Sequence, residues 1–96
     1  MLTGKQKRYL RSEAHHLKPI FQVGKDGVNE NMIEQMKEAL EKRELIKVSV
    51  LQNCLEDKDD VAVKLAEGTE AEIVQIIGNN IVLYKESEEN KHIQLP

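Results

Sequence analysis

Gly24-Lys25-Asp26-Gly27 sets a cation and an anion between two glycines, just ahead of a segment with helical periodicity. Glycine lets another backbone approach closely, and the first N–H groups of a helix are unpaired and carry partial positive charge. A phosphodiester suits that arrangement, and Lys25 adds a cation to it. Asp26 works against it, because a carboxylate in the loop repels phosphate. A plain Asp-Gly turn between two elements fits the same four residues. The second group is basic: Lys5, Lys7, Arg8, Arg11 and Lys18. On a helix Lys7, Arg11 and His15 recur at i, i+4 and i+8 with Arg8 beside them, giving a cationic stripe. A merely solvated helix face reads equally well from charge alone.

Other chemistries lack their residues. His15 and His16 are adjacent in sequence and diverge by about 100° on a helix, so they do not chelate one ion together. Cys54 has no second cysteine for a zinc site or an internal disulfide, and it follows an apolar strand, which suits a small packed thiol. No Walker, GxSxG or HExxH pattern occurs, and the acids from Glu56 to Asp60 lack the spacing of a calcium loop. The expectation is a non-enzymatic domain with no catalytic residue, metal or cofactor, and no small-molecule substrate.

The elements that must position the loop and the stripe follow from periodicity. Thr3 and Gln6 have capping-box spacing, opening a helix from about Thr3 to His16 whose core stripe is Leu10, Ala14 and Leu17. Pro19 ends it, and Ile20 to Val23 reads as a strand. After the glycine loop, Asn29 caps a helix of about 30–42, with Val28 and Ile33 in staple positions and Met32, Ile33, Met36, Ala39 and Leu40 on one side. A strand covers about 45–51, with Ile46, Val48 and Val50 alternating against Lys47 and Ser49. The acidic cluster supplies a cap for a third helix, about 59–67, with Gly68 as its stop. Strands at about 71–77 and 81–84 flank Gly78-Asn79-Asn80, a hairpin turn. Residues 92–95 offer a short edge piece, and the polar tail 86–96 is expected to be partly mobile.

This order is α-β-α-β-α-β-β: a single α/β domain, read as a two-layer sandwich on a four-stranded mixed sheet. Strands joined through helices are expected to pair in parallel, and the last two antiparallel. The aromatics are Tyr9, Phe21 and Tyr84, so the core is aliphatic, and their scarcity argues against RNA recognition by base stacking on an aromatic sheet.

The formal net charge is -3, but it is unevenly spread. Residues 1–25 hold six Lys or Arg against the single acid Glu13, while 48–96 hold four Lys and ten acids. A local basic face matters more than the total for phosphate affinity. The acidic half leaves a second reading open, a module that meets a basic protein. No apolar run approaches the roughly 20 residues of a membrane span. Met1 to Leu10 lacks the apolar stretch of a secretion signal, so a cytoplasmic setting is expected.

Several segments together resemble one family. Leu2-Thr3-Gly4-Lys5-Gln6-Lys7-Arg8-Tyr9-Leu10-Arg11 is similar to the opening of the CRM (chloroplast RNA splicing and ribosome maturation) domain. Ala14-His15-His16-Leu17-Lys18-Pro19, Gln22 to Gly27, Glu44 to Val48, Glu72 to Gly78 and Ile81 to Tyr84 continue the likeness in order. The pattern is that of the stand-alone bacterial, YhbY-like RNA-binding proteins. The resemblance implies a fold similar to the C-terminal domain of translation initiation factor three, with a KH-like GxxG loop. It implies RNA as the partner, in particular ribosomal RNA of the large-subunit precursor. Carried onto this chain, Gly24, Lys25 and Gly27 are loop positions, and Lys5, Lys7, Arg8 and Arg11 are basic helix positions. Asp26 fills a variable slot and is expected to weaken binding.

Overall fold

A computed structural model describes residues 1–96. Its elements run α1 (Gly4–Ala14), β1 (Phe21–Val23), α2 (Glu30–Arg43), β2 (Leu45–Val50), α3 (Lys58–Thr69), β3 (Glu72–Ile77) and β4 (Asn80–Tyr84). The strands form one mixed sheet in the order β1-β2-β4-β3. β1 pairs with β2 in parallel, and β4 is antiparallel to both of its neighbours.

Two features correct the sequence reading. β2 and β3 are joined through α3, yet they do not pair, because β4 folds back into the place between them. The architecture also has three layers rather than two. Ile46, Val48, Ile81 and Leu83 point to one face, where Met36 and Leu40 of α2 and Val61 and Leu65 of α3 complete a buried cluster. Leu45, Val82, Tyr84 and Val74 point to the other, where Leu10 and Ala14 of α1 cover them together with Leu2. With period-two alternation, a central strand apolar at both parities buries both faces. Leu45, Val82 and Tyr84 supply the second parity, so α1 needs a layer of its own.

The helix ends follow their caps. Thr3 Oγ1 accepts from the Gln6 N–H and Gln6 Oε1 from the Thr3 N–H, closing the capping box. Asn29 Oδ1 accepts from the Met32 N–H at 2.9 Å, and Asp57 Oδ2 accepts from the Asp59 N–H at 3.1 Å. Gly68, expected as the stop of α3, lies inside the helix, which ends on Glu70 in the left-handed region at φ 59°. Its role is close approach: a Cβ there would stand 2.7 Å from Ile33 Cδ1 of α2.

The tail differs from expectation as well. Residues 92–95 form no strand, and the segment after β4 is tied down rather than loose. Glu41 and Glu44 take up the backbone N–H groups of Ser87, Glu88, Glu89, His92 and Ile93. Those N–H groups are thereby unavailable to a strand ladder, and Ile93 and Leu95 pack against the α1-side cluster.

Candidate nucleic-acid interface

The Gly24–Gly27 loop sits where β1 ends and α2 is about to begin. It closes as a turn, with the Gly27 N–H donating to the Gly24 carbonyl at 3.0 Å. Gly27 adopts φ +68°, a conformation that favours glycine. A Cβ at Gly27 would also meet Glu56 Oε2 at 2.6 Å, but that is the tip of a flexible side chain that can swing aside, so the positive φ is what reserves the position for glycine. Gly27 is buried, while Lys25 and Asp26 are exposed at the tip. Because the Gly27 N–H is already committed, the donors open to a ligand are those of Lys25, Asp26 and the start of α2.

The electrostatics of the loop are mixed. Glu56 lies against it, held by an ion pair with Lys64. The Lys64 ammonium is raised above its ordinary pKa, first by its hydrogen bond to Glu56 and then by the Glu56 charge. Lys25 is therefore one exposed cation next in sequence to Asp26, in a loop that a partly compensated Glu56 touches at Gly27.

The basic residues of α1 have a different setting. Arg8, Arg11 and His15 line an open groove of about 880 Å³ between α1 and the sheet, with Lys47, Gln75 and Asn80 opposite and Ala14 and Val82 in its floor. The packing of Leu10 and Ala14 against the sheet fixes the rotation of α1, which turns Arg8 and Arg11 toward this groove. Lys7 is half-buried and Lys5 exposed, and neither lines the groove. Lys18 lies beyond it, in a smaller hollow of about 190 Å³ with Arg43, Leu45 and Lys47. The structure thus joins Arg8, Arg11 and His15 in one groove, sets Lys18 in a hollow that adjoins it through His16 and Lys47, and leaves the glycine loop outside both.

Sequence reasoning did not mark His16, Arg43 or Lys47. Lys47 was legible as the residue on the face opposite Ile46 and Val48, but no local signal placed α1 on that face. Arg43 closes α2, where a cation favours the helix C-terminus, so its charge had a sufficient local reason.

No three His, Cys, Asp or Glu side chains gather where they would hold a metal. Cys54 is half-buried, packs against the α2/α3 cluster and directs its Sγ to the Glu56 carbonyl. No helix is long and apolar enough to cross a membrane.

Comparison with known proteins gives these features a family. The "Probable RNA-binding protein YqeI" of Bacillus subtilis is 74% identical over 96 residues, spanning 100% of both chains. The "RNA-binding protein" of Haemophilus influenzae is 42% identical over 95 residues, covering 99% of this chain and 95% of its own. A solution structure from Staphylococcus aureus matches with a TM-score of 0.83 at 64% identity, over 100% of both chains. The family model for the CRS1 / YhbY (CRM) domain matches residues 2–85, from just before the α1 cap to just past β4. The chain therefore belongs to the CRS1/YhbY (CRM) domain family.

Proposed function

We propose that this domain is a non-enzymatic RNA-binding protein that holds its ligand through the phosphate backbone. The observation that carries this reading is the groove beside α1, in which Arg8, Arg11 and Lys47 converge on an aliphatic floor. Such a surface attracts phosphate by counterion release and carries no pocket shape for a small substrate. The names of the relatives support RNA as the ligand. The scarcity of aromatic side chains supports backbone contact over base stacking: Tyr84 is buried, and Phe21 and Tyr9 pack against the two apolar clusters.

In this reading Gly24–Gly27 acts as a KH-like GxxG loop, with Lys25 and the start of α2 lending donors to one phosphate. Lys5 and Lys7 on α1, and Lys18 beyond its end, add diffuse attraction of their own. The family resemblance, and the likeness to the C-terminal domain of translation initiation factor three that it implies, point this reading to ribosomal RNA of the large-subunit precursor as the target, in the cytoplasm. The rival, an acidic face for a basic protein, has less behind it. Many carboxylates of that half are engaged within the chain: Glu56 with Lys64, Asp57 as a cap, Glu72 with the Leu2 N–H and Glu86 with Lys91.

The test is Lys7→Glu with Arg11→Glu, assayed against ribosomal RNA at moderate salt. Binding is expected to be lost while the fold persists. Unchanged affinity removes α1 from the interface, and ribosomal co-sedimentation that survives RNase treatment favours the protein-partner rival.

A further inference from the structure

We infer that the dominant RNA contact is a continuous cationic belt across the α1 side of the sheet, that Arg43 and Lys47 are binding residues within it, and that its ligand is the paired phosphate rows of an RNA duplex. The inference deepens the RNA reading above and rests on it.

The groove beside α1 and the hollow around Lys18 share two lining residues, His16 and Lys47. They are therefore one surface. It runs from Arg8 and Arg11, through His16 and Lys47, to Lys18 and Arg43. No Asp or Glu lines either part. The five Lys and Arg of the belt also make no ion pair within the chain, although carboxylates outnumber cations in the sequence as a whole. In a chain of net charge -3, a stretch this free of acids is the place where a polyanion meets the least repulsion.

The contrast with the glycine loop sets the order of importance. There one exposed cation, Lys25, stands beside Asp26 and close to the Glu56 that touches Gly27. Each neutralised phosphate adds about one counterion to the salt dependence, so five unpaired cations outweigh one that is locally offset.

The choice of a duplex follows from what the belt lacks. Unpaired strands are held chiefly by successive bases stacked on aromatic side chains along a positive track. Here no Phe, Tyr or Trp lines the belt, and the His15 and His16 rings pack edge-to-face on each other at 5.7 Å. Cations on both walls of an open groove suit the two phosphate rows of a duplex, which is recognised by shape and backbone.

The experiment compares binding of a perfectly paired RNA hairpin and an unpaired oligonucleotide of equal length across a salt series. The variants are Arg43→Gln with Lys47→Gln, Lys18→Gln with Arg43→Gln, and Lys25→Gln. The second pair uses only exposed side chains, which guards against misfolding from the half-buried Lys47. The parent chain is expected to prefer the hairpin. Each belt pair is expected to lose roughly tenfold or more in affinity, with a salt slope shallower by about two, while Lys25→Gln changes affinity less than about threefold. Full affinity in both belt pairs overturns the belt. Equal binding of the unpaired oligonucleotide overturns the duplex assignment. Failure of the parent to bind either RNA at low salt overturns the RNA reading itself.

Discussion

Glu44 Oε1 accepts the backbone N–H groups of both His92 and Ile93, at 2.8 and 2.9 Å, from a residue with 0% exposure. Its other oxygen accepts the Ser87 N–H at 2.8 Å. A buried carboxylate at the end of α2 thus organises a segment more than forty positions away in sequence. It does so from φ 64°, a backbone conformation that side chains rarely adopt. The network offsets that strain and the desolvation of the charge, because three N–H donors converge on one carboxylate.

Glu44→Ala should therefore cost about 2–4 kcal/mol, since it leaves three amide donors without their acceptor. That is a large share of the roughly 5–10 kcal/mol that holds a domain of this size together. Urea unfolding gives the total. Hydrogen exchange at Ser87, His92 and Ile93 should accelerate well beyond that at Met36 or Leu65. Uniform acceleration across the whole chain shows instead that the tail and the core open as one unit.

Acid should release the same segment. Burial pushes the Glu44 pKa up, but the hydrogen bonds from His92, Ile93 and Ser87 outweigh it, and the net shift is downward. Glu41 accepts from Ser87 Oγ and from the Glu88 and Glu89 N–H groups, and it titrates at about 2 instead of 4.5. A carboxylate held below its unfolded value stabilises the fold fully above about pH 4.5, and that stability drains away as pH falls toward 2. Unfolding free energy measured from pH 7 to pH 3 should decline across this window. In the Glu41→Gln, Glu44→Gln double variant the decline should be smaller.

The helix pair poses a packing question with a definite answer. Gly68 lets α3 approach α2 until Ile33 fills the space a Cβ would need, with Cδ1 at 2.7 Å and Cγ1 at 3.2 Å. Gly68→Ala gains about 1 kcal/mol in helix propensity and loses about 1–3 kcal/mol to overpacking. The single variant should be destabilised by about 1 kcal/mol. Ile33→Val removes Cδ1, and in that background Gly68→Ala should become neutral or stabilising. A double-mutant cycle by thermal unfolding measures the coupling, and additivity of the two changes would contradict this account of Gly68.

Gly68 also marks where sequence reading stops. As a glycine after an apolar helical run it has the signature of a helix stop, and only the position of Ile33 in space reveals it as a contact point. The local signals were legible: the Thr3–Gln6 box, the Asn29 cap, the alternation of Ile46, Val48 and Val50, and the Gly78 turn all rest on neighbours within a few residues. The layers were not, because Leu45, Val82 and Tyr84 declare a second buried face only once β4 lies beside β2. That Arg8 and Arg11 share one side of α1 was legible from helical spacing. That Lys47 and Arg43 lie near them was not, because they come from separate elements and approach the α1 cations only in the folded chain. The tail misled for the same reason, since nothing in Glu86 to Lys91 announces that the carboxylates of Glu41 in α2 and Glu44 at its end await it.

The carboxylate against the glycine loop gives the last prediction. Glu56 Oε2 occupies the space beside Gly27, and Lys64 balances its charge from α3. If a phosphate approaches the loop, it meets Glu56 as a nearby anion whose field the ion pair only partly cancels. Glu56→Gln keeps the shape and removes the charge, while freeing Lys64. A unit charge several ångströms away through a solvent-rich region is worth about 0.5–1 kcal/mol. RNA affinity at low salt should therefore rise by about two- to fivefold, and the gain should shrink as added salt screens it. Lys64→Gln should act in the opposite sense by leaving Glu56 unbalanced. RNA titrations of both variants at two salt concentrations decide the matter. If neither affinity moves while the belt variants lose theirs, the glycine loop holds no phosphate and serves to turn β1 into α2.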